Sequence, residues 1–427
     1  MPEPFLPLAG VTVLAWEQAV SLPMATRLLG DLGATVIRLE SHVRSRQRPR
    51  YLANDLARNK LSIAVDLRAT EGQRLFKALV RKVDVLCENF TPRVKRQFGL
   101  TYEQLKVERE DLVMLSLSGY GQTGAWSERP TFGPGIEAAS GHAQSIGYSD
   151  RPPTRPGTVV YADNISGFYA SHAILAALHR RQATGQGQYI DLSMYEANTY
   201  HLLLSLARSS LTTRPETRRG NNDPAFALQD VVETCQRERW LAVSVREDQR
   251  TALANIIGTE SSSDLTAALR RWAAKQTAEE AVAMLQRAGI ASAPALTSRD
   301  LFLNAQLRHR QAFTPIPHEK PVNGFAAHPH AASPWRFDRL PRPPLREAPA
   351  IGQDSRHVLA RWLAMPDAEI DTLITSGVVG VPIEIPSEQT ARLPEEMIRR
   401  KRDWRLAAGH DPEPERVIGM VERGSVS

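Results

Sequence analysis

Val11-Thr12-Val13-Leu14-Ala15, then Pro23-Met24-Ala25-Thr26-Arg27-Leu28-Leu29-Gly30-Asp31-Leu32-Gly33, then Ala34-Thr35-Val36-Ile37-Arg38-Leu39-Glu40, is the stretch on which the fold turns. Two short apolar runs flank a segment of helical periodicity that stops at Gly33, which makes a strand, a helix and a second strand in about thirty residues. Units of this length build parallel sheets through right-handed crossovers and place ligands beyond the carboxyl ends of the strands. Glu40 closes the second run where a nucleotide ribose is often met. Yet the first turn, Trp16 to Pro23, lacks the glycine fingerprint of dinucleotide sites, which disfavours a nicotinamide or flavin enzyme.

The alternation continues outward. Strands are expected over Leu61 to Leu67, Val83 to Glu88, Leu112 to Leu117 and Tyr189 to Met194, with helices over Thr70 to Lys82 and Tyr102 to Arg109. Glu88-Asn89-Phe90-Thr91-Pro92 is a polar and aromatic turn at a strand end, and Ser118-Gly119-Tyr120-Gly121-Gln122-Thr123-Gly124 has glycines that permit close backbone approach to a ligand, or simply a mobile loop. After the Pro-rich lead from Arg151 to Tyr161, a helix is expected to open at Asp163 and run through an Ala/Leu-rich segment. The plain reading of Asp163 is a helix cap. The functional one is a carboxylate held ionised at the positive end of the helix dipole, with Gly167 leaving room for a ligand one turn on.

Composition bounds the rest. A chain of 427 residues exceeds one simple core and suggests two domains, or one large domain carrying an insertion, and 42% hydrophobic with 23% charged residues is ordinary for a soluble protein. No apolar run is long enough for a membrane span and Met1-Pro2-Glu3-Pro4 does not open a signal peptide, so a cytoplasmic location is expected. Cys87 and Cys235 cannot build a disulfide framework or a four-ligand zinc site, and the 11 histidines show no paired metal spacing apart from weak loop clusters. No metal is expected. The net charge of +6 comes without any nucleic-acid-binding motif, so no nucleic acid is expected as a partner. One cluster, Arg44, Arg46, Arg48 and Arg50 followed by Arg58 and Lys60, suits a small polyanion bearing phosphates or a solvated loop.

Composition shifts after about residue 205. A first part of a large α/β domain is expected over 1–205, a linker over 206–222, a small α+β domain over 223–317, and a traversing linker over 318–350 that is rich in Pro, His and Arg. A returning segment of the large domain follows over 351–385, and a charged tail, partly helical or disordered, over 386–427. Within the small domain, Trp240 to Val245 reads as a strand, and Gln249 to Ile257, Asp264 to Lys275 and Ala278 to Ala288 as helices.

Taken together, Leu8 to Val11, Leu28 to Glu40, Asn59 to Gly72, Asp84 to Pro92, Ser118 to Gly124, Tyr161 to Gly167 and Thr184 to Gln188 resemble the class III CoA-transferases, the CaiB/BaiF family. The likeness continues through Gly220-Asn221, Trp240 to Val245, Ala288 to Leu296 and Gly352 to Leu359, about residues 8 to 380. Each motif is weak alone; their order over that length is specific. The resemblance implies a Rossmann-like large domain with a parallel sheet, a smaller α+β domain, and an interlocked homodimer with each chain threaded through the other. It implies Asp163 as the nucleophile and Asn89, Phe90, Leu67, Arg68, Arg96, Ser118 and Gly119 as CoA-binding residues. No cofactor is permanently bound; coenzyme A enters as an acyl-CoA substrate and a small carboxylic acid accepts it.

In such chemistry a carboxylate attacks a thioester, and backbone N–H groups at the helix start and in the Ser118 to Gly124 loop are expected to hold the oxyanions. Departures from the family narrow the substrate. The acidic residue of formyl-CoA transferases is missing near Gly133, and their glycine lid is missing around 222–227, which argues against oxalate and formyl-CoA. The related α-methylacyl-CoA racemases would need a histidine near Phe132, where phenylalanine cannot relay a proton. Two alternatives stand beside the transferase: an α-methylacyl-CoA racemase or epimerase, disfavoured on that ground, and an accessory subunit that binds acyl-CoA without turnover.

Overall fold

The computed structural model describes residues 6–43, 50–154, 160–212, 218–262, 264–322, 325–340, 342 and 344–382. The expected tail at 386–427 lies outside them. The described parts of 1–143, 155–214 and 311–390 form one compact unit, and those of 144–154 and 215–310 form another.

The first unit opens with β1 (Thr12–Trp16), α1 (Ser21–Asp31), β2 (Thr35–Glu40), α2 (Arg50–Ala57) and β3 (Lys60–Val65). It continues with α3 (Thr70–Val80), β4 (Val85–Glu88), α4 (Pro92–Phe98), α5 (Tyr102–Leu105) and β5 (Val113–Ser118). Then come α6 (Gly133–Ala139), α7 (His142–Ser145), α8 (Tyr161–Thr184), β6 (Gln188–Ser193), α9 (Met194–Thr199) and α10 (Leu203–Thr212). Each expected strand forms, with ends shifted by one or two residues. In the inner strands side chains alternate between two buried faces, which is why those strands are largely apolar: Leu14, Ile37, Ile63 and Leu86 pack under α3, while Val13, Val36, Val85 and Leu115 pack under α1 and α8; the edge strand β6 leaves one face exposed.

The second unit contains β7 (Leu228–Glu233), β8 (Trp240–Val245), α11 (Arg250–Ile257), α12 (Leu265–Ala273), α13 (Ala278–Arg287), β9 (Ala291–Pro294), α14 (Ser298–Leu303) and α15 (Ala305–His309). Its strands form an antiparallel sheet in the order β7-β8-β9 over a core that includes Leu241, Val243, Leu253, Leu269 and Leu285. Asp264 caps α12 by accepting from Ala267 N–H at 3.1 Å, and Thr277 with Glu280 boxes the start of α13. β7 escapes a reading of apolar runs because an aspartate, Asp230, takes an inward position; it is paired with Arg270 at 2.7 Å.

The chain re-enters the first unit through β10 (Phe313–Val322) and β11 (Phe325–Ala331), then α16 (Ser355–Leu363), α17 (Asp367–Thr375) and β12 (Val379–Gly380). The expected irregular traverse over 318–350 is corrected here: much of its first half is an antiparallel hairpin. Proline is tolerated because a two-stranded ribbon is all edge. Side chains of 54–59 fasten the segment: Asn54 Oδ1 accepts from Ala348 N–H at 2.7 Å, Asn59 Oδ1 from Arg346 N–H at 2.8 Å, and Arg58 donates to Ala331 O at 2.8 Å.

The large sheet has the order β12-β3-β2-β1-β4-β5-β6, parallel except for β12 against β3. Growth runs outward from β1 to β3 and then crosses to β4 on the other side of β1. Between β1 and β4 the crossovers diverge, and a crevice opens at the carboxyl ends of those two strands.

Candidate active site

Three turns meet beyond that crevice: 17–20 after β1, 89–91 after β4 and 119–132 after β5. Asn89 clasps the first, its Oδ1 accepting from Gln18 N–H at 2.9 Å and its Nδ2 donating to Gln18 O at 2.8 Å. Phe90 lies against Trp16 with ring centroids 4.2 Å apart and accepts at its carbonyl from Gln122 Nε2 at 3.3 Å, which joins the second turn to the third. Beneath them Glu88 accepts from Phe90 N–H at 2.8 Å and meets Lys95 Nζ at 2.8 Å, and Lys95 also donates to Ser116 Oγ at 2.7 Å. Burial pushes the Glu88 carboxyl above its ordinary range while Lys95 opposes the shift.

Asp163 sits over this edge. It is not the helix cap: Val160 is, and Asp163 is the third residue of α8. The donors at the helix start are taken by Glu137 of α6, whose Oε1 accepts from Tyr161 N–H at 2.7 Å and from Ala162 N–H at 3.4 Å. The N–H groups of Tyr161 and Ala162 are therefore engaged within the fold. Four residues before Glu137, on the same helix face, Gly133 lies so close that a Cβ there would overlap Asp163 Oδ2 and the Val160 side chain.

Asp163 is 8% exposed. Its carboxyl is raised to about 6, first by burial and then by the negative charge of Glu137, with the Ser21 hydroxyl acting the other way. The expectation that the helix dipole keeps it readily ionised is thus corrected, because desolvation and a buried like charge outweigh the dipole. Gly167 is likewise used differently: a Cβ there would come within 2.7 Å of Ser21 O, so the glycine lets α1 press on α8 and delivers Ser21 to Asp163.

The other expected residues follow the same sheet edge in several roles. Ser118, which ends β5, is buried with its Oγ lacking a hydrogen-bond partner, and Gly119 O accepts from Tyr195 N–H at 2.9 Å. Leu67, just past β3, puts its side chain into the core, while Arg68 forks onto Asp66 at 2.8 Å and stays half exposed. Arg96 on α4 pairs with Glu128 of the turn after β5. Phe132 is 76% exposed.

The arginine cluster divides. Arg44, Arg46, Arg48 and the Arg50 side chain lie outside the described residues. Arg58 and Lys60 are not phosphate ligands but buried structural charges. Arg58 meets Asp31 at 2.8 Å, and Lys60 meets Glu17 at 2.6 Å and donates to Thr26 Oγ1 at 2.7 Å. The residues missed in the sequence, Glu137, Gly133 and Ser21, act on Asp163 only through tertiary packing. The spacing of Gly133 and Glu137 on one helix was the available signal, hidden by the breaker-like Gly133-Pro134-Gly135. Among the described residues no group of three His, Cys, Asp or Glu side chains is placed to hold a metal ion, and no helix is long and apolar enough to cross a membrane.

Comparison with known proteins agrees with this architecture. The family model for CoA-transferase family III matches residues 8–355. The chain is 28% identical over 401 residues to the succinyl-CoA–L-malate CoA-transferase beta subunit of Chloroflexus aurantiacus, covering 88% of this chain and 98% of that one. It is 29% identical over 400 residues to the succinyl-CoA–D-citramalate CoA-transferase of the same organism, covering 87% and 98%. A crystal structure of a CaiB/BaiF family protein from Brucella suis superposes with a TM-score of 0.74 at 25% identity, over 84% of this chain and 99% of that one. With a doubly wound sheet, a buried carboxylate over its crevice and a family match across most of its length, this chain belongs to CoA-transferase family III and is an enzyme that transfers CoA.

Proposed function

We propose that Asp163 is the covalent relay of this transfer. The Asp163 carboxylate attacks the thioester carbonyl of an acyl-CoA, forming a mixed anhydride and expelling the CoA thiolate. That thiolate attacks the aspartyl carbonyl, which gives an aspartyl-CoA thioester and releases the donor acid. The acceptor carboxylate then attacks this thioester, frees the thiolate and makes a second anhydride. Attack of the thiolate on the acceptor's acyl carbon yields the new acyl-CoA and restores Asp163. Each step exchanges one acyl bond for another, so the thioester's energy is kept from water.

The observation that carries this reading is the setting of Asp163: a buried carboxylate on the first turn of α8, made more basic than an ordinary aspartate and pressed between Gly133 and Ser21 at the ligand edge of the sheet. Asn89 and Phe90 shape the turn that meets CoA, Ser118 and Gly119 line the next, and Arg68 and Arg96, paired with Asp66 and Glu128 in the free protein, are the cations that would turn to the nucleotide end. The backbone at Leu67 borders the same end. The relatives act on succinyl-CoA by name, so succinyl-CoA with small carboxylic acids such as malate, citramalate and glutarate is the first substrate panel. Incubation with an acyl-CoA followed by hydroxylamine is expected to convert Asp163 to a hydroxamate, read by peptide mass spectrometry. Transfer that proceeds while Asp163 stays unmodified would overturn the relay.

The assembly we propose is an interlocked homodimer, with the small domain and the traverse over 318–350 as the parts that let one chain thread the other. Large apolar side chains left exposed on α8 and α10, Phe168, Leu203, Leu204 and Leu211, support it, since surfaces of this kind are usually covered. Sedimentation is expected at twice the 47.4 kDa chain mass. Mixed tagged and untagged dimers should form no hybrids until denatured. A monomer at micromolar concentration, or dimerisation only with a second, related chain, overturns the homodimer.

A further inference from the structure

We propose that Glu137 is a positioning residue for the transfer reaction: a buried negative charge that fixes the first turn of α8 and sets the pH range over which Asp163 works as a nucleophile. The inference rests on the reading of Asp163 as the relay. Glu137 is fully buried on α6, and its Oε1 binds the two N–H groups that immediately precede Asp163 in α8. From the same helix Gly133 sets the spacing, because any side chain there would displace the Asp163 carboxylate. One short helix therefore supplies a contact surface, a cap and a charge to a single aspartate.

The capping role alone does not call for a carboxylate. An amide or a hydroxyl satisfies a helix-start N–H as well, and a buried charge beside a second carboxylate is unfavourable. What the charge adds is basicity. A carboxylate that holds its proton more tightly is a stronger nucleophile once ionised, and at neutral pH Asp163 remains largely ionised with its carboxyl at about 6.

No other carboxylate described on the neighbouring elements meets this turn in the same way. On α1, Asp31 is held by Arg58, and Arg27 donates to Asp55 O. On α9, Glu196 is exposed and Tyr195 packs with Tyr120 and Trp126. On β6, Asp191 accepts from Gln122 N–H, and Tyr189 stacks on Tyr102. His142 of α7 bonds Asn198 O at 2.9 Å and lies beside the Tyr161 ring, and Tyr169 and His172 stand further along α8.

The test is Glu137→Gln in the full chain, since glutamine keeps an oxygen acceptor for Tyr161 N–H and removes the charge. Two readouts are needed: the pH profile of CoA transfer, and a carbon-13 NMR titration of the Asp163 carboxyl assigned with Asp163→Asn. The wild-type acid limb is expected near the Asp163 value of about 6. In Glu137→Gln the limb and the NMR midpoint should both move down by about half to one pH unit, leaving at about pH 5 a three- to fivefold larger share of the variant's own plateau rate. A limb that stays in place while only the melting temperature falls means a purely structural role and overturns the inference.

If the variant does not fold, the wild-type titration decides. An Asp163 midpoint in the ordinary aspartate range, about 4, overturns the inference without any substitution. Failure of the relay itself looks different: Asp163→Asn would keep transferring CoA, while the NMR midpoint would still report whether Glu137 acts on Asp163.

Discussion

Asp163→Asn is expected to lose CoA transfer by about three to four orders of magnitude and, at neutral pH, to make the protein more stable. The two effects together separate a relay from a structural residue. Loss of rate follows because an amide is a poor nucleophile and cannot become the aspartyl thioester. The gain in stability follows from linkage. The Asp163 carboxyl is raised to about 6 in the fold, from the ordinary aspartate value of about 4. The folded protein therefore binds this proton more readily than the unfolded chain.

Stability from that proton is fully present at low pH, is lost as the pH rises from about 4 through about 6, and stays lost at neutrality. Removing the charge should recover on the order of 1 to 2 kcal/mol at pH 7 once solvent screening of the carboxyl is allowed for. The gain should shrink to nothing below about pH 4. Thermal melts at the two pH values, alongside transfer rates, check it. A structural aspartate would show the reverse, near-normal rates with a lower melting point.

How much of this was legible follows from where each constraint resides. The strands from β1 to β5 could be read along the chain because both faces of the sheet are largely buried there, and β6, open on one face, because its residues alternate, so apolar runs, alternation and glycine stops mark them without reference to neighbours. Asp163 could be found as a residue near a helix start at the ligand edge. Its neighbours could not. Gly133 looks like a breaker and is a helix residue kept small by the Asp163 carboxylate, while Glu137 looks like any surface glutamate and is fully buried. Arg58 and Lys60 mislead in the same way. A run of cations suggests a phosphate site, and nothing local tells that Asp31 and Glu17, 27 and 43 residues away, are waiting for them inside the fold. The hairpin over 313–331 was hidden by prolines that a two-stranded ribbon accepts.

The buried pair at Glu17 and Lys60 leads to the second large effect. Lys60, at the start of β3, reaches Glu17 at 2.6 Å, Thr26 Oγ1 at 2.7 Å and Pro23 O at 3.0 Å, with both charged side chains fully enclosed. Glu17 opens the turn that holds Gln18 against Asn89 and leads into Ser21 beside Asp163. Lys60→Met leaves the buried Glu17 carboxylate with only the partly exposed Arg38 guanidinium, at 3.4 Å, as counter-charge. The expected loss, at the low end for a broken buried pair because Arg38 remains, is about 3 kcal/mol, a melting midpoint lower by roughly 3 to 5 °C.

Glu17→Gln should cost less, because the stranded partner is then a lysine that burial has already lowered to about 8 and that sheds its proton cheaply. The double variant Glu17→Gln with Lys60→Met removes both charges and should recover more than half of the Lys60→Met loss, since what destabilises the single variant is a buried carboxylate compensated only by Arg38 rather than the missing ion pair. Chemical denaturation of the four proteins gives the coupling directly. Additive losses in the double variant would mean that Lys60 supports the fold through its hydrogen bonds to Thr26 and Pro23 and not through the charge of Glu17.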